Sequence, residues 1–407
     1  MRRSGEVLSL ASFVALGIPD GMLGTVWPEM RHSFGAPIGD LGLILLLSTG
    51  GSVSVTFFVG RLLRRLGVAI VLAAGAVSAA SAAVGFFVAP LFGVVVAFSV
   101  LFGVAAGLTD AGLNTAVGLS GRNRLLNLLH GAYGVGTAIG PVVVTLSVLS
   151  GSWRPAYVVL AAVDAVVASW WILLRRRDAA LDAAGGSPAT PAAPVGAVPD
   201  VASGPQGAAA RSIPTPAGLR RRTAVAAGIA VFFVYTGLEV AAGQWETTYT
   251  KGHLHLSTPA AGIATFGYWA ALTAVRLILA LLPRPLSGQT VLRWGVTLSL
   301  AAAGLIWWDP VAAAAIAGFV MLGGALAGVF PALIGLTPVR LGSDLAATAI
   351  SWQVGAAAAG GAAISALVGV VVDVAGVASL GPALTVLAVA LLVLERLLAA
   401  VHPPSQF

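Results

Sequence analysis

Cysteine is missing from the chain altogether, which excludes disulfides, thiolate metal sites and a cysteine nucleophile. Charge is nearly as scarce. Only 9% of the 407 residues are Asp, Glu, Lys or Arg, where a soluble domain carries about 25%. So few charges cannot cover a water-facing surface of this size. With 58% of residues hydrophobic, the bilayer is the solvent that the composition suits. No glycine-rich phosphate loop and no activated-nucleophile motif occurs in the sequence, so covalent catalysis is not expected. The five histidines (His32, His130, His253, His255 and His402) form no helical metal pair; His253 and His255 sit beside Lys251 in a short polar loop. Neither a metal nor a cofactor is expected.

What the chain does contain is apolar runs of about the length that crosses a bilayer. Predicted spans are 7–29, 40–63, 68–89, 91–117, 123–149 and 153–174, then 223–249, 258–282, 289–307, 311–335, 346–371 and 380–400. The first is read as a retained helix, without a cleavage site. Between the two sets lies 175–220, bounded by Arg175–Arg177 and Arg220–Arg222 and dense in Pro, Ala and Gly, which reads as a disordered connector. The expected fold is therefore an all-α membrane protein with twelve transmembrane helices in two pseudo-symmetric six-helix bundles, 1–174 and 221–407.

The net charge of +7 does not call for a nucleic-acid partner. Of the 22 basic residues, all but Arg31, Arg154, Lys251 and Arg276 fall in segments on the side of the termini. That bias places both termini in the cytoplasm of a cell (inner) membrane. The expected partners are lipid and a small solute, with the chain acting as a monomer.

The two halves echo each other. Gly17, Ile18 and Asp20 of span one match Gly237, Leu238 and Glu239 of span seven. Gly60-Arg61-Leu62-Leu63 matches Val275-Arg276-Leu277-Ile278, and Gly103-x-x-x-Gly107 matches Gly324-x-x-x-Gly328. Ionisable groups within spans cost about 2.5–3.5 kcal/mol each on insertion scales and normally face a bundle interior. Asp20 follows Pro19, whose missing N–H frees the carbonyl of Ala15. Asp110 and Asn114 share a face of span four; Asn127, His130 and Tyr133 share one of span five. If those spans pack as a hairpin turning near 120, Asp110 comes level with His130, and Asn114 with Asn127. Glu239 lies at mid-depth on span seven, with Gln244, Trp245 and Glu246 beyond it. Trp352 and Gln353 lie on span eleven at nearly the depth of His130, and Tyr268 and Trp269 on span eight. Tryptophan with amides and carboxyls suits a sugar, whose apolar face the ring covers and whose hydroxyls the polar groups take. Asp164 has no polar neighbour at helical spacing, and Arg276 reads as a structural latch or a snorkelling side chain.

Together these residues resemble the major facilitator superfamily, and within it the fucose-permease-like branch of proton-coupled sugar transporters. The resemblance rests on Asp20, on Asp110-Ala111-Gly112-Leu113-Asn114, on Asn127-Leu128-Leu129-His130, on Gly237-Leu238-Glu239 with Gly243-Gln244-Trp245, and on Trp352-Gln353. It implies symport driven by a proton gradient. Asp20, Asp110, His130 and Glu239 would couple protons. Those four, with Asn114, Asn127, Tyr133, Gln244, Trp245, Trp269, Trp352 and Gln353, would contact the solute. Two departures stand out. The family's loop after span two usually carries an aspartate where Arg64 stands here. And Gly136-Thr137-Ala138-Ile139-Gly140-Pro141 partly matches an antiporter pattern, which leaves proton-driven export of drugs or metabolites as the alternative.

Overall fold

The computed structural model of the chain describes residues 3–118, 123–184 and 216–401. These residues form α1 (Arg3–Phe34), α2 (Leu41–Leu66), α3 (Val68–Val88), α4 (Phe92–Gly118), α5 (Asn123–Leu149), α6 (Pro155–Ala184), α7 (Pro216–Gly252), α8 (Thr258–Leu281), α9 (Gly288–Trp308), α10 (Ala312–Leu326), α11 (Val329–Leu341), α12 (Ser343–Ala375) and α13 (Leu380–Val401). Short 3₁₀ turns precede α2 and α13. Among the described residues, twelve spans are long and apolar enough to cross a bilayer, and α10 with α11 makes up one of them, Ala312–Leu341. The fold class is as expected. Helix runs past the predicted end of span six to Ala184 and begins again at Pro216, so both ends of the expected connector are helical. Its centre, 185–215, lies outside the described residues.

The packing repeats between the halves. In the first, α1 packs on α5, α2 on α4, and α3 on both α4 and α6. In the second, α7 packs on α12, α8 on α10, and α9 on both α10 and α13. Each pair occupies the same place in its own set of six spans. Across the halves, α5 meets α8, α2 meets α12 and α1 meets α7.

Small residues set the closest of these approaches, because apolar side chains gain nothing by leaving lipid and helices must instead gain contact area. A Cβ at Gly17 would overlap the carbonyl of Tyr133, and one at Gly21 the carbonyl of Thr137. The contact is reciprocal: Gly136 faces the carbonyl of Val14, and Gly140 lies 2.6 Å, by its would-be Cβ, from that of Ile18. Gly103 meets Ser48 and Gly107 meets Val55 in the α2–α4 pair, while Gly360 meets the carbonyl of Phe233 in the α7–α12 pair. The glycines of the partial antiporter pattern are therefore engaged against α1.

Gly21→Ala should cost about 1–3 kcal/mol by overpacking backbone against backbone. Gly50→Ala is the control, since nothing lies within 4 Å of a Cβ there. Melting temperatures in detergent should fall for the first and hold for the second; equal values would contradict the packing assignment.

Candidate functional site

A cavity of about 270 Å³ lies between the halves, close to the lower end of the ~300–1,000 Å³ typical of small-molecule sites. Its walls come from α1, α2, α5, α7, α8 and α12, with an extension into the first half between α3, α4 and α6. Asp20, Tyr133, Glu239, Gln244, Trp269 and Arg276 are among the residues that line it.

The acid of α1 is placed by the α1–α5 contact. Gly17 sits on the backbone of Tyr133, so Asp20, less than one turn further along α1, reaches the tyrosine hydroxyl. That hydroxyl donates to the Asp20 carboxylate. On the facing half, the Glu239 carboxylate accepts from the Tyr235 hydroxyl, one turn earlier on α7, and pairs with Arg276 at 3.6 Å. Arg276 also donates through Nε to the carbonyl of Ala327 at 3.1 Å. This carbonyl lies in the interruption between α10 and α11, where Tyr235 also reaches the Leu326 carbonyl at 3.3 Å. Irregular backbone at membrane depth survives only where other groups satisfy it, and Arg276 does that here, the Tyr235 proton being given to Glu239. Asp110 and Glu239 both lie within electrostatic reach of Tyr133, as does Arg276 of His130.

Four buried polar atoms on cavity residues have no hydrogen-bond partner: Asp164 Oδ2 in the first half, and Thr236 Oγ1, Gln244 Oε1 and Trp269 Nε1 in the second. The three of the second half are a hydroxyl, an acceptor and a donor, shielded in this arrangement and reached by a bound molecule only when the side chains around them shift. The amide nitrogen of Gln244 is spent differently, donating to the backbone carbonyl of Asp20 at 2.8 Å and so tying α7 to α1 at the depth of the acid.

The cavity is sealed at the end opposite the termini. Glu29 of α1 pairs with Lys251 of α7. The Ile38 amide donates to Asp373 of α12 at 3.0 Å, and a Cβ at Gly42 would come within 2.6 Å of Ala366. Toward the terminal end the same helices are exposed over most of their circumference, at Val53, Ser54, Thr56, Phe57 and Phe58 of α2 and at Ser351, Trp352, Val354 and Gly355 of α12. The cavity opens that way.

Not every residue expected at the site reaches it. The expected α4–α5 hairpin does not form a tight pair: α4 packs on α2 and α3, and α5 on α1 and α8. Asp110 and Asn114 do share a face and bond at 2.9 Å, but His130 packs edge-on against Phe13 of α1, 5.9 Å between ring centroids. The side chain of Asn127 lies outside the described residues. Trp245 is fully buried in the second half, its indole donating to the Ser365 carbonyl at 3.0 Å. Gln353 accepts from Thr337 at 2.9 Å and closes over Gly228, again within the second half. Trp352 is 56% exposed and does not line the cavity. Arg276 and Thr236 do line it, Arg276 joining the Glu239 carboxylate to the helix break rather than snorkelling. In the sequence, Arg276 stands out as an ionisable group within a span, echoing Arg61 of the first half.

A sequence profile described as Major Facilitator Superfamily matches residues 9–366. A search of curated proteins returns no match. Among solved structures, an aspartate-to-alanine mutant of the nucleoside transporter NupG is similar with a TM-score of 0.69 at 15% identity, covering 98% of this chain and 99% of that one. A POT family transporter in complex with a thioalcohol-conjugated peptide is similar with a TM-score of 0.68 at 13% identity, covering 98% and 96%. At these identities the likeness speaks to the fold.

Removing one partner of a mostly buried ion pair costs roughly 3–5 kcal/mol. Arg276→Ala should accordingly lower the melting temperature sharply, and adding Glu239→Gln should restore part of the loss. A double variant no more stable than Arg276→Ala would show that the arginine acts mainly through the Ala327 carbonyl.

Proposed function

The chain belongs to the major facilitator superfamily, as a multi-pass membrane transporter and not an enzyme, and on that premise we propose that it takes up a sugar or similar polyhydroxy solute together with protons. The observation that carries this reading is the cavity wall itself: a carboxylate held by a tyrosine hydroxyl on one half, and on the other half lining residues whose amide oxygen, hydroxyl and indole N–H are buried without partners. Hydroxyls of a solute can donate to Gln244 and Asp20 and accept from Trp269, while the indole ring covers an apolar sugar face.

Tyr133 donates its proton to the charged form of Asp20. When Asp20 takes up a proton, that bond loses its charge assistance, and the link between α5 and α1 at the cavity wall weakens. Asp110, with Asn114 bonded to it, is the second coupling acid and lies nearer the terminal end. With both termini in the cytoplasm of an inner membrane, as the arginine distribution favours, the present arrangement is the inward-open stage. Binding and protonation belong to the outward-open stage, and release follows reorientation of the halves. One charge moved through 100 mV is worth about 2.3 kcal/mol, roughly fifty-fold accumulation per proton.

Purified protein in liposomes should take up protons when the right sugar is added. Asp20→Asn and Asp110→Asn should each abolish uphill accumulation while sparing downhill exchange. Intact accumulation in both variants would remove the coupling assignment. The seal gives a second check. A Cβ on Gly39 would lie 3.6 Å from the Cβ of Asp373, within the usual disulfide range of about 3.5–4.5 Å. In this naturally cysteine-free chain, Gly39→Cys with Asp373→Cys should lock the sealed end, stop transport on oxidation and recover it on reduction. Transport that continues at full rate through a complete cross-link would rule out alternation at this end.

A further inference from the structure

The extension of the cavity into the first half has no counterpart in the second, where α9, α10, α11 and α13 contribute nothing to the cavity wall. At its side stands Asp164 of α6, only 4% exposed, with Oδ2 buried and without a hydrogen-bond partner. The other acids on the wall are engaged, Asp20 by Tyr133 and Glu239 by Tyr235 and Arg276. The lobe is otherwise aromatic and small. Phe86 lies edge-on to Phe102, 5.1 Å between centroids, and tilted on Tyr157 at 4.9 Å. All three rings line the cavity, and Ala79 of α3 leaves the space open. The one basic residue on the cavity wall, Arg276, is held by Glu239.

From this juxtaposition of an unpartnered buried carboxylate with a three-ring wall, we propose that the lobe is a subsite for a protonated amine carried by the solute, with Asp164 as its anchor. A carboxylate without partners at this depth is costly, and an ammonium group is the ligand chemistry that removes the cost. It donates to the carboxylate in charge-assisted bonds, and the three rings give the apolar part of the amine a wall to lie against. The lobe joins the central cavity, so a solute lying against Asp20 and Trp269 can extend its amine toward α6. The inference rests on reading the central cavity as the solute site; it does not rest on the rest of the solute being a sugar.

The test measures affinities of purified protein for two matched pairs, glucosamine with glucose and benzylamine with benzyl alcohol, at a pH where both amines are protonated. In at least one pair the amine should bind roughly tenfold or more tighter than its neutral partner, as a charge-assisted contact implies. Asp164→Asn should erase that ratio and Asp164→Glu should keep part of it. Ala79→Leu, which fills the lobe without touching charge, should also erase it, and it decides the matter if Asp164→Asn does not fold. An amine preference that survives both Asp164→Asn and Ala79→Leu overturns the proposal, as does the absence of any amine preference in the native protein. The two readings fail separately. Glucose binding with no amine preference leaves the sugar reading standing and removes the subsite. Benzylamine preference with no sugar binding does the reverse.

Discussion

The backbone contact between α1 and α5 is the constraint on which the site depends. Lipid gives helices no hydrophobic reason to associate, so association comes from close approach and from polar groups that find each other. Four glycines, two on each helix, let carbonyl oxygens of one rest where side chains of the other would stand. That approach fixes the register to within a residue. With Gly17 on Tyr133 and Gly21 on Thr137, Asp20 has one place to go, and the Tyr133 hydroxyl is there. No arginine holds the acid; its partner is the tyrosine hydroxyl.

The second half solves the same problem with charge. Glu239 occupies the place on α7 that Asp20 has on α1, but its partner is Arg276, and Arg276 in turn supports a helix that is interrupted at Ala327 and Gly328. The interruption, the arginine and the acid form one network. Losing any member exposes a polar group at membrane depth, where each unsatisfied group costs several kcal/mol. The two halves thus share a packing plan and differ in chemistry, one wall carrying an acid held by a tyrosine hydroxyl and the other an ion pair.

How much of this was legible beforehand follows from the kind of signal involved. Span lengths are a property of each segment alone, and they were read correctly, as was the pairing of Asp110 with Asn114 on one helical face. Asp20, Tyr133, Glu239, Gln244 and Trp269 were recognisable as polar residues too deep for lipid. The azimuth of a helix relative to helices distant in sequence is not a local property. Trp245 and Gln353 looked like cavity residues by depth, yet both face into the second half. The expected α4–α5 hairpin fails for the same reason. Proximity in sequence suggests packing, but the glycines of α5 match α1, and α4 finds α2. Arg276 reads in the sequence as a structural latch or a snorkelling side chain; the latch stands, and what it holds is the Ala327 carbonyl, left free because Pro331, four residues on, has no N–H to give it.

The sealed end is weak enough to open, and this is what a transporter needs. The Glu29–Lys251 pair is partly exposed, 37% and 23% by side chain, so it contributes about 1 kcal/mol at most. The exposed bond from the Ile38 amide to Asp373 adds about 0.5–1.5 kcal/mol. Against them stand the buried, unpaired atoms Gln244 Oε1 and Trp269 Nε1 and both carboxylate oxygens of Glu246, deep in this same half of the protein. Each such atom makes the closed arrangement less favourable than its contacts suggest, and water admitted by opening would relieve those it reaches. Polar contacts of this strength do not by themselves fix the protein in one state.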